Sequence, residues 1–462
     1  MHRERWLIGF VAVVAILGMA VFGIYLVTEQ NREAAVGKLK AKTAVFKQRV
    51  SGRDAPGARK PGEEAPGPQM VESRKTAAPK EDTVAAFGQL FEKRKALFSD
   101  PRWQKALELV GNAKWSEWTE ADRKSVAEFL DANRELILEL RRLAELGGPM
   151  YELDYSKGFA MELPHLAQLR DCARLLAADA TLAAGKGDYG EAVKDILAGM
   201  KLANAVTQEP ILISQLVRIA MDGIMYNEIA QSMRGEDLTP DLARELIGYA
   251  SRSGGRDGFA DSLSGEGFFG LEAFDGVRTG DLNHAGMSPQ GMDAFLMRVY
   301  GSGFARPFLN MDEETYADIM ARMSDAVRLP FYEAKPLLDQ INTEIGDLPR
   351  TRFMSRTLLP ALTRAAESQA RHEAQLGLMQ VGLAVELYHA QNGEYPRTLD
   401  QVAPTLGGTI PLDPFTGQAF VYQPSGGSFA LYSAMGSAVD LGGRRHPQGV
   451  DEQGNIVWRG PR

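Results

Sequence analysis

The feature that most constrains this chain is an uncharged run at its start. From Trp6 to Val27 the sequence WLIGFVAVVAILGMAVFGIYLV holds about 22 residues without a charge, long enough to cross a bilayer core as a helix. A cleaved leader has a shorter apolar region closed by a small-x-small site, and no convincing site of that kind closes this one. The run is therefore read as a retained transmembrane anchor, residues 1–28. Its orientation is not fixed by charge, because Arg3 and Arg5 precede it while Arg32, Lys38, Lys40 and Lys42 follow it.

The chain is 462 residues long, more than one apolar core usually supports, so more than one packed unit is expected beyond the anchor. A net charge of -8 argues against a general nucleic-acid binder. The single cysteine, Cys172, cannot form an intrachain disulfide and sits on a helical apolar stripe, where it reads as a small buried hydrophobe. Residues 29–83 read as a disordered tether. Its Pro/Gly/charge-rich part, SGRDAPGARKPGEEAPGPQMVESRKTAAPKED, has almost nothing to bury and would hold the body away from the membrane surface.

Residues 84–356 read as a helical domain. A Thr119–Asp122 capping box opens a segment running through Val126, Leu130 and Leu136 to Leu146-Gly-Gly. Three amphipathic stretches follow: Leu166, Leu169, Ala173, Leu176; then Ala192, Ile196, Met200, Ala203; then Ile213, Leu216, Val217, Ala220, Ile224. Gly185-Lys-Gly-Asp-Tyr189 supplies a glycine stop and an Asp188 N-cap, which predicts an antiparallel helical hairpin. Thr239-Pro240 opens another helix, with proline at the tolerated first position. Helices are predicted again over Asp312 to Ala326 and Tyr332 to Glu344. In its small residues before the turn and its Gly-Asp-Tyr-x-x-Ala start, the segment LLAADATLAAGKGDYGEAVKDILAGMKLANAV resembles one unit of a tetratricopeptide-type repeat. No fixed period extends it, so irregular helical hairpins are expected rather than a regular solenoid.

Ser251 to Gly280 carries many glycines interleaved with Phe259, Phe268, Phe269 and Phe274. It reads as a flexible excursion that tucks aromatic anchors onto the helices, with a ligand lid or enzyme site as the alternative.

Residues 357–462 change character. A long helix with Leu376, Met379, Leu383 and Leu387 on one face ends at Asn392-Gly393, and two aromatic-rich runs, Ala419 to Tyr422 and Ser428 to Tyr432, predict a hairpin with a glycine-containing loop. In the order YHAQNGEYPRTLDQV, IPLDPFTGQAF, VYQPSGGSFALYS, GSAVDLGG and NIVW, this region resembles the C-terminal globular part of the type II secretion major pseudopilins. The resemblance implies a small α+β domain in which a helix ends at the Tyr388–Pro396 turn, the Asp413-Pro414 turn follows, and an aromatic strand carries Leu431 to Ser433. It also implies a late calcium loop. Asp440 matches the loop's first acidic position and Asp451 could serve beside it, although Leu441, Gln453 and Asn455 depart from the pattern; solvated loop carboxylates are the other reading. Val14 stands in the place of the family's early glutamate, and about 330 residues of helical body intervene, which argues against assembly into a pseudopilus.

Other chemistry leaves little trace. The six histidines, His2, His165, His284, His372, His389 and His446, form no i, i+4 zinc pair. There is no nucleophile elbow and no dinucleotide fingerprint, and Glu313-Glu314 reads as a solvated helix surface. The expected fold is mainly α: an N-terminal transmembrane helix, an irregular helical-hairpin body and a small C-terminal α+β domain. The expected role is a non-enzymatic scaffold or interaction protein of the bacterial envelope. It would be held single-pass in the inner membrane with its body extracytoplasmic, contacting other envelope proteins, without nucleic acid and with calcium as the one candidate cofactor.

Overall fold

A computed structural model of the protein describes residues 23–44, 47, 83–94, 97, 100–110, 115–148, 151–232, 238–253, 255–281, 297–425, 427–434 and 457–459. Most of the apolar run lies outside these residues, and among them no helix is long and apolar enough to cross a membrane. The chain is mainly helical with a small sheet near its C-terminus. Residues 23–44 form α1. There follow α2 (Thr83–Arg94), α3 (Pro101–Leu109), α4 (Glu120–Ala132), α5 (Arg134–Leu146), α6 (Pro164–Gly185), α7 (Tyr189–Ala205), α8 (Leu212–Ser232), α9 (Pro240–Ala250) and α10 (Arg256–Thr279). After α11 (residues 297–301) come α12 (Arg306–Ala326), α13 (Phe331–Asp347), α14 (Phe353–Leu358) and α15 (Pro360–Asn392), and then β1 (Val421–Ser425), β2 (Ser428–Tyr432) and β3 (Val457–Arg459).

Local signals place many of these boundaries. Thr119 and Asp122 close a reciprocal capping box on α4, Asp188 caps α7 through the Glu191 amide, and Thr239 caps α9 with Pro240 behind it. Gly187, at φ 83°, lets α6 and α7 fold back on each other, and Gly393, at φ 75°, stops α15. The segment expected to run unbroken to Leu146 instead divides at Asn133, whose backbone leaves the helical region (φ -113°, ψ 17°) while its side chain donates to the Phe129 carbonyl at 2.7 Å. The sheet is antiparallel in the order β1-β2-β3. β1 runs on to Ser425, opposite Ser428, so the hairpin loop is shorter than expected.

Two apolar cores organise the body. The first joins α2 to α7, the second half of α8, α9, the C-terminal half of α15 and the sheet. The second joins α1, Leu212 at the start of α8, α10, α12, α13 and the first turns of α15. The boundary expected at 356/357 therefore does not separate one core from the other: Phe87, near the start of the helical region, shares a core with Trp458. From Leu376 to Leu387 every residue of α15 except Gln380 is buried, so the stripe expected on one face has become burial all round. Gly377 and Gly382 give the sheet its seat, since a Cβ there would lie 2.7 Å from Phe420 and 2.5 Å from Trp458.

Two readings need correction. The Gly/Phe-rich segment is no excursion but the 24-residue helix α10, bracketed by Gly255 (φ 65°) and Gly280 (φ 82°). Its glycines are close-approach points: a Cβ on Gly270 would collide with the Tyr316 hydroxyl, and one on Gly267 would press on Leu39. The tether expected over 29–83 also begins differently. Residues 29–44 are helical, with Val36 and Leu39 buried in the second core. Glu29 accepts from Asn310 at 2.7 Å, Arg32 meets Glu313 at 3.4 Å, and Lys42 pairs with Asp325. The Pro/Gly-rich part lies outside the described residues.

This packing makes the glycines of the two helical surfaces unequal. Gly382→Ala should cost about 1–3 kcal/mol by overpacking against Trp458, whereas Gly346→Ala, which meets nothing within 4 Å on an exposed helical turn, should add about 0.5–1 kcal/mol. Urea unfolding of the two variants in mild detergent checks the pair. Cleavage at a protease site engineered into residues 51–82 should leave the N-terminal fragment bound to the body through α1, and Leu39→Asp should release it. Co-purification of the two fragments after cleavage is the measurement.

Candidate functional site

Among the described residues, charge gathers at several places inside the helical body, and three of them are candidate sites. The first lies under a cleft of about 580 Å³ between α2 and the α4–α5 elbow, lined by Gln89, Lys93, Asp131, Asn133, Arg134 and Glu139 among others. Arg134 reaches down from this cleft and grips Asp179 of α6 through two hydrogen bonds, at 2.5 and 3.0 Å. Arg141, two helical turns further on, binds Asp195 and Glu191 of α7 at 2.6 Å each and lies 3.6 Å from Asp179. These ionic contacts tie α5 across the α6–α7 hairpin. Hydrogen bonds from Lys194 and Arg141 hold the Glu191 carboxyl down at about 2. Asp195 goes the other way: burial, helped by the like charge of Asp179 and opposed by the Arg141 hydrogen bond, pushes it up to about 7. Its Oδ2 makes no hydrogen bond.

The second place is a polar seam where α8 crosses α15. The buried Arg218 guanidinium donates to Gln215 at 3.0 Å, to His372 Nε2 at 2.9 Å and to Gln369 at 2.8 Å, with Asp222 at 3.5 Å. Burial first, and the Arg218 charge second, lower the His372 pKa well below its usual value. The ring is thus neutral and accepts at Nε2. Burial also drives Asp222 up to about 7 against the pull of Arg218. Gly255 packs on the guanidinium: a Cβ there would lie 2.7 Å from its central carbon.

The third is a small cluster around His165. Its Nε2 lies 2.9 Å from Glu209, whose other oxygen accepts from Ser214 at 2.6 Å, and Tyr151 stacks on the ring at 4.6 Å. The carboxylate stands between hydroxyl and imidazole, so Ser214 has no imidazole aligned to take its proton, as a serine nucleophile would need.

The residues singled out in the sequence are dispersed. Asp440 and Asp451 lie outside the described residues, as do His2, His284 and His446; among the described residues no cluster of three metal-ligating groups occurs. His389 stacks on Tyr395 at 4.1 Å and takes no part in the other clusters. Cys172 is buried. Glu313 and Glu314 are not a solvated pair. The Glu313 side chain is 2% exposed and held between Arg32 and Arg278, while Glu314 is half-buried. Their neighbour Asp312 accepts from the Met354 and Ser355 amides at 2.8 and 3.1 Å, capping α14 from 42 residues away. Sequence reasoning missed these networks because their partners are dozens to hundreds of residues apart. No protein-family model, no curated protein and no solved structure matches the chain.

The Asp195 geometry sets a pH dependence. A carboxyl raised in the folded state to about 7 contributes stability that is complete below its unfolded value near 4 and is lost as pH rises through 7. Asp195→Asn should therefore flatten the fall in unfolding free energy between pH 4 and 7, by up to about 4 kcal/mol over the window. Urea titrations of both proteins across that range test it, and an unchanged slope would discount the group.

Proposed function

We propose that the chain is a membrane-anchored scaffold of the bacterial cell envelope, held in the inner membrane with its body outside the cytoplasm, and that it works through contacts with other envelope proteins rather than through catalysis. The observation that carries this reading is the docking of α1. The helix that takes up the end of the apolar run is fixed to the body by buried Leu39 and by Glu313 between Arg32 and Arg278. The docked helix α1 thus ties the end of the apolar run directly to the body, which suits a positioning role.

The cleft over Arg134 supports the same reading. Its charged groups are spent on one another and on the helices below, Asp131 beside Arg134 at 3.6 Å and Glu139 on Arg142 at 2.8 Å, instead of converging on an empty centre. A charged, solvated cleft of this kind suits the polar rim of a protein contact. The competing reading, an enzyme with its site in 251–280, would need a polar cleft there. That segment instead packs Phe259, Phe274 and Val277 into the second core, and the cavity beside Phe259 holds only about 20 Å³. Kinship with secretion subunits would bring pilin-like partners to the outside of the body, since α8, α9 and the sheet already cover α15.

Two measurements test the proposal. The chain should resist alkaline extraction from membranes, and its body should be degraded by protease added to spheroplasts; full protection would reverse the orientation. A photo-crosslinker at exposed Gln89 in the cleft should give a discrete adduct with another envelope protein, whereas one at Lys186 in the α6–α7 turn should not.

A further inference from the structure

α1 and α12 lie side by side and run in the same direction. The contacts from Arg32 to Glu313, from Asn310 to Glu29 and from Lys42 to Asp325 keep a nearly constant separation of 281 to 283 residues. Carried one turn back, that register sets Ile24, Leu26 and Val27 level with residues 305–308. All three are exposed, and so are the apolar side chains around that end of α12. Phe304 is 93% exposed, Phe308 43%, Val299 44% and Phe353 47%. Between them opens a cleft of about 370 Å³ lined almost wholly by apolar groups, with Arg350 at its edge and exposed Arg298 in α11.

A bare aromatic patch of this kind is costly in water and marks a surface that something covers. Its place in the fold says what. The apolar run Trp6–Val27 ends at this same end of the body, so a bilayer that takes up the run lies against these side chains. Apolar and aromatic groups flanked by arginines match its interfacial layer, where rings sit at headgroup depth and guanidinium groups meet lipid phosphates. We infer that this end of the body rests on the membrane, with Phe304, Phe308, Val299 and Phe353 seated in the lipid interface beside the anchor. The inference rests on the anchor reading above and deepens it: the body does not hang from the bilayer but stands on it.

The test uses the full chain in vesicles of phosphatidylcholine with a minor share of phosphatidylglycerol, carrying an environment-sensitive fluorophore at one introduced cysteine. Cys172 is buried and stays unlabelled. Labels at Phe304→Cys and Val299→Cys should be quenched several-fold more by lipids bearing a shallow nitroxide than a label at Lys186→Cys, and a label at Ala15→Cys in the run should be quenched by a deep nitroxide. Quenching at 15 without quenching at 299 and 304 overturns this inference and leaves the anchor intact. No quenching at 15 removes the anchor reading and this inference with it. Shielding at 304 that grows with protein concentration and ignores the nitroxide lipids assigns the face to a second copy of the chain, and also overturns it.

Discussion

The Arg218 guanidinium is the point on which the two halves of this fold depend. It sits on α8 between Leu212 in one apolar core and Met221 in the other, and its partners on α15, Gln369 and His372, flank the same divide between Ala366 and Ala370. A buried charge of this kind gives little net stability, because desolvation offsets most of the attraction. What it fixes is register. Slid by one turn, α15 would take Gln369 and His372 away from the desolvated guanidinium and leave it only Gln215 and Asp222 of its own helix, which is costly where no water can replace the lost partners. Gly255 completes the constraint, because only a glycine fits both its positive φ and the 2.7 Å approach to the guanidinium.

The second constraint is the α1–α10–α12 face. Glu313 lies between two arginines from different helices, one of them Arg32 on α1, and α10 offers Gly267 and Gly270 where Leu39 and Tyr316 come closest. Alone, α1 would be a marginal helix in water; against that face it buries Ala35, Val36 and Leu39. The chain order then acquires a meaning hidden in its composition. In chain order the Pro/Gly-rich stretch does not lie between the apolar run and the first docked helix but follows that helix, and it precedes α2 in the other core.

How much of this is legible in the sequence depends on the range of the interaction. Thr119, Asp188, Thr239-Pro240 and Gly393 announce helix ends because each acts within four residues of itself. The stripe from Leu376 to Leu387 is legible because helical period is local, but its burial on every side is not. α10 reads wrongly as a loop because glycine weighs against a helix by about 1 kcal/mol each, and five or more in close succession look like turns. The better signal is the spacing of Phe259, Leu263, Gly267, Gly270, Phe274 and Val277, all buried on one helical face with glycine where Leu39 and Tyr316 approach it. Glu313, Asp312 and Asp179 give no sign at all, since a carboxylate whose partner lies 40 to 280 residues away looks like any other surface acid.

The seam at Arg218 also divides the labour that the proposed function requires. The second core carries α1 and, at the start of α12, the exposed aromatic end; the first carries α2 to α5 and the charged cleft above Asp179 and Asp195. On the scaffold reading, one core faces lipid and the other faces partner. A load applied at the cleft passes through α5 to the α6–α7 hairpin by way of Arg134 and Arg141, then through α8 and its arginine to α15, and through α8 and α10 to α12. The Arg218 joint in that route is buried, and Asp179 and Asp195 are buried ends of the other two, where geometry is held more tightly than at a solvated contact. On the scaffold reading, that stiffness matters more than a reactive group would.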